Sequence, residues 1–406
     1  MSYEHLTVDL IPGYLASKPE LSSLIDWQKI KNIEEVGDGN LNLVFIIQDE
    51  LGSGVVLKQA LPYVRLVGPD WPMTPDRARF EYETTIAHSR WVGDLVPKMY
   101  LFDRDRFIMG MEDLSDHLVW RGALNQGLRH EGVAEDLGRY VASVAFGTSI
   151  FGMVAEEEQA ALARAVNPEL CRITEDLVFS EPYANVGRNS VLMANEKDAA
   201  ELANNTAMIT EIGELKWSFM THAEALIHGD LHTGSVMVRN SNGASLHSTK
   251  VIDSEFSFYG PVGFDLGALW ANYVIAAARA FALGNEEQAN WALSLFGKTW
   301  ETFESTFRQR WPERIDPSTF SDGVLERTLH QWGIDAAGFA AAKMARRIVG
   351  LAKTSDIETL DESVREGAAR GVLRVAQHFA VHRHSGHAPS LLSGHAGEIL
   401  AATVTG

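Results

Sequence analysis

The sequence has a single cysteine and no long hydrophobic run. Cys171 has no partner with which to form a disulfide within the chain. The longest apolar stretch, residues 273–283, is interrupted by Arg279 and is shorter than the roughly 20 residues that a membrane helix needs. The start of the chain also lacks a basic segment followed by a long apolar core. These absences predict a cytoplasmic protein that has no membrane span.

Positive charge is also scarce. The 406 residues contain 35 Lys and Arg against 54 Asp and Glu, which gives a formal net charge of −19. A charge of this sign repels phosphate backbones and anionic lipid headgroups, so nucleic acid and membrane surfaces are not expected as partners. With 46% hydrophobic and 22% charged residues, the chain is instead typical of globular proteins and is long enough for two lobes.

The hydrophobic pattern divides the chain near Met111. Residues 43–48 and 55–60 are predicted strands joined by a turn, a helix is predicted over 76–91, and 98–103 and 107–112 are further extended segments. The rest of the sequence is mainly helical, with one short strand-rich island over 235–239 and 250–252. We therefore predict an α+β protein with a small antiparallel-sheet N-lobe, residues 1–112, and a large helical C-lobe, residues 113–406.

A glycine-rich turn and a lysine could form a phosphate site in the first lobe. The segment GDGNLNLV, residues 37–44, contains Gly39 and has Asn42 where a third glycine would normally stand. Lys58 ends the second strand of the hairpin, where an inward-facing amine can hold phosphate oxygens. Glu81 on the following helix is expected to fix Lys58 by an ion pair, with Glu83 as the competing candidate. Each of these residues taken alone would more often be an ordinary turn residue or a surface charge.

The segment IHGDLHTGS, residues 227–235, places Asp230 in a tight polar loop directly before a strand. A carboxylate in such a loop can orient an alcohol and accept its proton during phosphoryl transfer. The neighbouring His228 and His232 have no further cysteine or histidine at zinc spacing, so we interpret them as hydrogen-bond donors that organise the loop.

Two acids follow the second strand of the same hairpin. A period of two would point Asp253 and Glu255 the same way, and such a pair suits Mg²⁺ bound to a nucleotide. Asp265 is expected either to cap the next helix or to tie down the loop that carries Asp230.

Two other segments are set aside. Residues 297–299 end like a P-loop, but Ala292 stands where the motif requires glycine. The C-terminal histidines are interpreted as part of a solvated helix end and tail; they are His378, His382, His384, His387 and His395.

The order of these motifs resembles the protein-kinase-like fold of small-molecule phosphotransferases. More narrowly, the chain is similar to the 5-methylthioribose kinases between about residues 36 and 353. The segments that carry this resemblance are GDGNLNLVF, KQALPY, WPMTPDRARFE, MEDLS, NPELCRITEDLVF, HGDLHTGS and FYGPVGFDLG. Aminoglycoside phosphotransferases share HGDLH but usually carry Asn in place of Ser235 and Asp in place of Glu255.

The resemblance implies ATP and Mg²⁺ as cofactors and the anomeric hydroxyl of 5-methylthioribose as the acceptor, in methionine salvage. It also implies a homodimer. Asp230 would be the catalytic residue and would also bind the sugar, Asp253 and Glu255 would hold magnesium, and Arg346, Arg347 and Trp71 would lie on the sugar side. Trp71 would belong to a loop that closes over the substrates. The ATP-binding residues would be Gly39, Asn42, Lys58, Glu81 and the hinge Glu112, Asp113 and Leu114.

Two alternatives remain open from the sequence. One is a phosphotransferase that acts on another small alcohol, such as an aminoglycoside, choline or homoserine. The other is a nucleotide-binding pseudokinase that serves as an interaction module, although the presence of Lys58, Asp230, Asp253 and Glu255 argues against it.

Overall fold

The computed structural model describes residues 3–37, 41–64, 68, 70–184, 186–241, 246–386 and 388–404. Within these residues the protein is bilobal, and the α+β class predicted from the sequence is confirmed. No helix in the described ranges is both long enough and apolar enough to cross a membrane.

A five-stranded antiparallel sheet forms the N-lobe, with the strand order β1-β2-β3-β5-β4. Its strands are β1 (Ile30–Glu35), β2 (Asn42–Asp49), β3 (Gly54–Ala60), β4 (Met99–Asp103) and β5 (Ile108–Glu112). The helices of this lobe are α1 (Ile11–Ser17), α2 (Pro19–Ser22) and α3 (Arg77–Val92), with a 3₁₀ turn at Val8–Leu10. The predicted hairpin and the predicted helix are therefore both present.

The two faces of this sheet have different neighbours because side chains alternate along each strand. On one face, Phe45 and Leu57 pack with residues of α1 and α2. On the other face, Val56 and Met111 pack against α3. Lys58 lies two residues after Val56 and so shares its face, which directs the amine toward α3 and the C-lobe.

The C-lobe is mainly helical. Its helices are α4 (Trp120–Asn125), α5 (Val133–Gly147), α6 (Ala155–Arg164), α7 (Pro168–Thr174), α8 (Glu196–Asn204), α9 (Thr206–Thr221), α10 (Gly263–Ala282), α11 (Glu286–Arg310), α12 (Asp322–Ile348), α13 (Ser355–Glu358), α14 (Glu362–His382) and α15 (Pro389–Val404). A π-helical segment covers Glu175–Ser180, and 3₁₀ turns lie at Glu181–Tyr183, Met193–Asn195, Thr233–Ser235, Ser254–Phe256 and Trp311–Glu313.

The prediction of a single strand-rich island was wrong, because the C-lobe contains two small sheets. One sheet has the order β6-β8-β9, formed by β6 (Leu118–Val119), β8 (Val236–Arg239) and β9 (Ser248–Val251). The other pairs β7 (Ala225–Ile227) with β10 (Phe258–Gly260). Strands of three residues are too short to show a period of two, which explains why the sequence pattern did not reveal them.

The centre of the C-lobe is the contact between α10 and α12. A Cβ added to Gly267 of α10 would lie 2.7 Å from the carbonyl oxygen of Ala336, so glycine allows the two helices to approach closely. Every residue of α12 from Trp332 to Ile348 is buried. Because this buried segment includes Lys343, Arg346 and Arg347, α12 places three cationic side chains in the interior, where they need a function or a counter-charge.

Candidate active site

The loop that carries Asp230 follows β7 and is fixed by its neighbours. Gly229 has φ +82, and a Cβ there would lie 2.1 Å from the carbonyl oxygen of Phe256, so no other residue fits. The Asp265 carboxylate accepts hydrogen bonds from the backbone N–H groups of His228, at 2.7 Å, and Gly229, at 3.1 Å. The predicted loop-tying role of Asp265 is confirmed.

His228 joins this loop to the end of β9. Its Nδ1 accepts a hydrogen bond from the backbone N–H of Asp230 at 3.2 Å, which leaves Nε2 to donate to the carbonyl oxygen of Ile252 at 2.8 Å. The His228 ring thereby bridges the backbone of Asp230 to Ile252, the residue that precedes Asp253. The interpretation of His228 as an organising hydrogen-bond donor is confirmed.

The Asp230 carboxylate contacts a lysine on one oxygen and a histidine on the other. Its Oδ1 lies 2.7 Å from Nζ of Lys343, and its Oδ2 lies 3.3 Å from Nε2 of His232. Burial opposes ionisation of Asp230, but Lys343, His232 and Arg346 outweigh it and hold its pKa well below the usual value. Asp230 is therefore an anion at neutral pH.

The tautomer of His232 follows from its contacts. Burial lowers the pKa of His232 to about 3, so the imidazole is neutral. Its Nδ1 accepts a hydrogen bond from the backbone N–H of Gly234 at 3.1 Å, and the proton must therefore be on Nε2, which donates to Asp230.

Arg346 and Arg347 lie one turn beyond Lys343 on α12. Their side chains are only 9% and 8% exposed, yet neither forms an ion pair with a carboxylate of the described residues. Nε of Arg346 has no hydrogen-bond partner in the described part of the chain, and Arg347 only reaches the carbonyl oxygens of Ala352 and Lys353 at 3.4 and 3.3 Å. Burial lowers the pKa of both arginines, and neighbouring cations, including Arg121, add to this effect.

Lys58 extends from β3 into a group of acids. Its Nζ lies 2.7 Å from Oε2 of Glu81, and it forms a second, short ion pair with Asp253. Glu83 instead pairs with Arg79 at 3.2 Å. The structure thus selects Glu81 of the two glutamates that the sequence left open.

The charges in this group determine each other's protonation. Burial alone would lower the pKa of Lys58, but Asp253, Glu81 and Glu255 outweigh burial and raise it. Burial raises the pKa of Glu81 to about 7, with Lys58 opposing the shift and the two other acids adding to it. Burial and the charge of Asp253 raise the pKa of Glu255. The site therefore gathers more negative charge than Lys58 can neutralise.

Glu81, Asp253 and Glu255 present carboxylate oxygens within 4.8 Å of one another. The period-two explanation for this convergence was wrong, because β9 ends at Val251 before either acid. The chain turns at Asp253, whose φ of +70 is unusual for a residue other than glycine, and the 3₁₀ turn Ser254–Phe256 then carries Glu255. Such local strain is common at functional sites.

The two predicted metal ligands differ in exposure. The Asp253 side chain is 43% exposed and the Glu255 side chain only 2%. Oε2 of Glu255 accepts a hydrogen bond from Nδ2 of Asn42 at 3.1 Å and lies 3.3 Å from Nε of the fully buried Arg77. Because Arg77 also donates to Oδ1 of Asn42 at 2.9 Å, the Asn42 amide is engaged in positioning Glu255. Gly39 lies outside the described residues.

The hinge follows β5. The backbone N–H of Glu112 donates to the carbonyl oxygen of Lys98 at 2.9 Å, and its side chain lies 3.5 Å from Lys250. Asp113 accepts a hydrogen bond from Gln48 at 3.0 Å. The backbone N–H of Leu114 has no partner in the described ranges, so it is available to a ligand.

Two surfaces near the hinge differ in polarity. A cavity of about 440 Å³ is too polar to suit an adenine ring, since its lining includes Asp94, Glu112, Asp113, Asp116, Arg239 and Lys250. The sheet face above the cleft is instead apolar, with Val44, Ile46, Val56 and Met111 in one cluster. The flat faces of a base would be better matched by this second surface.

Trp71 lies in a loop between β3 and α3 and contacts the C-lobe. The guanidinium of Arg188 lies 5.9 Å from the centre of its ring. Two residues further along the C-lobe chain, the backbone N–H of Ser190 donates to the carbonyl oxygen of Val349, just beyond α12, at 3.0 Å. The Trp71 loop is therefore connected to the helix end that carries the two arginines.

The chain is similar in sequence to known phosphotransferases. Residues 32–300 match the model of the phosphotransferase enzyme family. A methylthioribose kinase of Yersinia pseudotuberculosis is 38% identical over 369 residues, with 88% of each chain covered. One of Cronobacter sakazakii is 41% identical over 350 residues, covering 84% of this chain and 86% of the relative.

The chain belongs to the methylthioribose kinase family. Among solved structures, an ethanolamine kinase of Plasmodium vivax is similar with a TM-score of 0.45 and 12% identity, covering 91% of this chain and 86% of that one.

Four residues of this family member were not predicted as site residues from the sequence. Lys343 and Arg121 lie near Asp230 and the arginine pair, Arg77 holds Glu255, and His232 donates to Asp230 rather than only organising the loop. Lys343, Arg121 and Arg77 lie in segments whose sequence pattern is that of an ordinary charged helix. The only available signal was the spacing of Lys343, three and four residues before the arginines, which places all three on one helical face.

Proposed function

We propose that the protein transfers the γ-phosphoryl group of ATP to the anomeric hydroxyl of 5-methylthio-D-ribose, giving 5-methylthioribose 1-phosphate and ADP. The observation that carries this proposal is the environment of Asp230, an anion that contacts Lys343 of the helix that carries the two arginines. Its loop is also hydrogen-bonded through the His228 ring to Ile252, the residue before Asp253. Family membership supports the choice of sugar.

On the nucleotide side, the donor set fits a magnesium ion. Hard carboxylate oxygens are the ligands that Mg²⁺ prefers, and Asp253 with Glu255 would hold it at the exposed edge of the three-acid group. When bound, the ion neutralises negative charge on the triphosphate. Lys58, fixed by Glu81, is placed to contact phosphate oxygens. Glu112, Asp113 and Leu114 would bind adenine through their backbone, with the Leu114 N–H as donor.

On the sugar side, Asp230 orients the anomeric hydroxyl and takes its proton. The hydroxyl oxygen forms a bond to the γ-phosphorus, the bond between that phosphorus and the β,γ-bridging oxygen breaks, and its electron pair leaves with ADP. The depressed pKa of Asp230 makes it a weak base, which suits a loose transition state in which the proton moves late. Positioning by Asp230 then matters more than its basicity.

The cations of α12 argue against the alternative acceptors. Choline and aminoglycosides are cationic, and Lys343, Arg346 and Arg347 would repel them, since Lys343 alone of the three forms an ion pair among the described residues. An ADP-release assay across methylthioribose, ribose, choline and an aminoglycoside tests the proposal. Of the four acceptors, we expect only methylthioribose to be turned over rapidly. Faster turnover with choline or the aminoglycoside would contradict the proposal.

We expect Arg346→Ala to act mainly on the sugar. Because the buried guanidinium has no ion-pair partner of its own, its removal should raise KM for methylthioribose or lower kcat by roughly tenfold or more, whereas ATP affinity should change less than about twofold. Steady-state kinetics and calorimetric titration with an ATP analogue measure the two effects. Arg327→Ala, an exposed position on the same helix, is the control. A loss confined to nucleotide affinity would overturn the assignment.

The proposal also covers the division into lobes, the oligomeric state and the cellular role of the protein. We place the lobe boundary between Glu112 and Asp113, and we expect a cytoplasmic homodimer that acts in methionine salvage. Trp71 would close over the sugar and exclude water, which would otherwise accept the phosphoryl group.

A further inference from the structure

Lys343 contacts Asp230, but the phosphoryl transfer proposed above gives it no role. Its side chain is 5% exposed, its Nζ lies 2.7 Å from Oδ1 of Asp230, and the same nitrogen lies 4.3 Å from the centre of the Phe264 ring. The amine is thus enclosed on one side by an aromatic face and directed on the other toward the reacting carboxylate. A lysine this deeply buried needs a function that offsets its desolvation.

The cations around Lys343 outnumber the nearby carboxylates, so a further anion is needed to balance their charge. Arg346 and Arg347 follow on the same helix face, and neither forms an ion pair with a carboxylate within the described ranges, although the charge of Asp230 acts on both. Arg121, the fourth cation, is paired with Asp356 at 3.2 Å. Asp265 lies nearby, but its oxygens accept hydrogen bonds from the loop amides. The acceptor sugar is neutral, so it brings no counter-charge for this group of cations. The phosphoryl group that is transferred to the sugar oxygen brings the negative charge that these cations need.

We propose that Lys343 is a catalytic residue that passes from Asp230 to the transferred phosphoryl group during the reaction. This inference rests on the proposed function. As the new oxygen–phosphorus bond forms and the bridging bond to ADP breaks, the hydroxyl proton moves to Asp230. That carboxyl becomes neutral and no longer attracts the ammonium, while the phosphate ester gains the negative charge. The ammonium keeps all its protons and changes only its hydrogen-bond partner.

The protonation of Lys343 gives this step a pH dependence. The charged groups that face it are Asp230 on the loop, Asp265 on α10, and Arg346 and Arg347 on its own helix. Burial lowers the pKa of Lys343 to about 8, with Asp230 opposing the shift and the arginines adding to it. The ammonium is present below that pH and is lost as the pH rises through it. The kcat of the wild-type enzyme should therefore fall above about pH 8.

The test compares Lys343→Met and Lys343→Arg with the wild type. Lys216→Met is the matched control, because it removes a C-lobe lysine that is ion-paired to Glu175 at 2.9 Å, outside the site. We expect Lys343→Met to lower kcat roughly 100-fold with a small change in KM for methylthioribose. We expect Lys343→Arg to recover part of kcat and to move the alkaline limb to higher pH, since arginine stays charged.

Binding of the phosphorylated product separates catalysis from structure. Calorimetric titration of the nucleotide-free enzyme should give at least tenfold weaker affinity for 5-methylthioribose 1-phosphate in Lys343→Met, with affinity for the free sugar unchanged. Equal losses for both ligands, or an alkaline limb that Lys343→Arg leaves in place, would mean that Lys343 only holds Asp230 and would overturn the proposal.

A third measurement keeps this inference distinct from the proposed function. Inorganic phosphate is titrated into the wild type and into Lys343→Met, which requires no knowledge of the sugar. If the wild type fails to phosphorylate methylthioribose but still loses phosphate affinity with Lys343→Met, the sugar assignment is wrong and the anion-binding role of Lys343 stands. If phosphate affinity is unchanged by Lys343→Met, the role of Lys343 is refuted whatever the acceptor.

Discussion

Asp230→Asn is expected to lower kcat for methylthioribose by about a thousandfold, within the range that a positioned acid or base contributes. Asparagine keeps the size of the side chain but loses the charge that orients the hydroxyl group and accepts its proton. The loop should keep its shape, because the Asp265 and His228 contacts use backbone groups that the substitution leaves in place. The loss should therefore appear in kcat, measured by ADP release at saturating ATP.

Nucleotide binding provides the internal check on this result. Because Lys58 and Asp253 do not depend on the Asp230 carboxylate for their contact, affinity for an ATP analogue should change by less than about twofold. Asp198→Asn, which removes a carboxylate paired with Arg370 far from the loop, should leave both quantities unchanged. Turnover of Asp230→Asn equal to that of the wild type would refute the catalytic role.

The parts of the site whose local geometry could be predicted from the sequence are built by short segments. His228, Gly229 and Asp230 are consecutive, and their geometry is fixed by hydrogen bonds within a few residues and by one acid on the next helix. The β2–β3 hairpin was predictable for the same reason, since Asp49 at the turn accepts hydrogen bonds from the amides of Leu51 and Ser53, each at 2.9 Å.

The parts that the sequence could not predict depend on residues far apart in the chain. Lys343 is separated from Asp230 by 113 residues and Asn42 from Glu255 by 213. Helix α12 is buried on all sides near Lys343, so its hydrophobic pattern does not show which face is directed toward the cleft. Only the packing of α10 against α12 decides that Lys343 lies beside Asp230 rather than at the surface.

The same distinction applies to the two acids after β9. Both were predicted to converge, and they do, but through a left-handed residue and a 3₁₀ turn instead of a strand. A strand would have exposed the two carboxylates equally. The turn leaves Asp253 open to the cleft and buries Glu255 against Asn42 and Arg77, which gives the two acids unequal roles.

We therefore expect Asp253→Asn to be far more damaging than Glu255→Gln, by about tenfold or more in kcat. Asp253 offers an exposed oxygen to the metal and also holds Lys58, so its neutralisation should weaken both metal binding and the position of the amine. A kcat reduced by about a thousandfold, with a higher Mg²⁺ concentration needed for half-maximal rate, is the expected result for Asp253→Asn.

Magnesium titrations of the kinase rate distinguish this outcome from general destabilisation. Glu255→Gln keeps an oxygen that can accept from Asn42 but loses the charge that faces the buried Arg77, so it should mainly lower the thermal unfolding temperature. It should also raise the Mg²⁺ requirement, but less than Asp253→Asn does. Glu83→Gln, on the helix that carries Glu81 but facing Arg79, is the matched control and should titrate like the wild type. If Asp253→Asn and Glu255→Gln gave the same magnesium dependence, the unequal exposure of the two acids would have no bearing on metal binding. The two carboxylates would then contribute equally to holding the ion, despite the contacts that bury one of them.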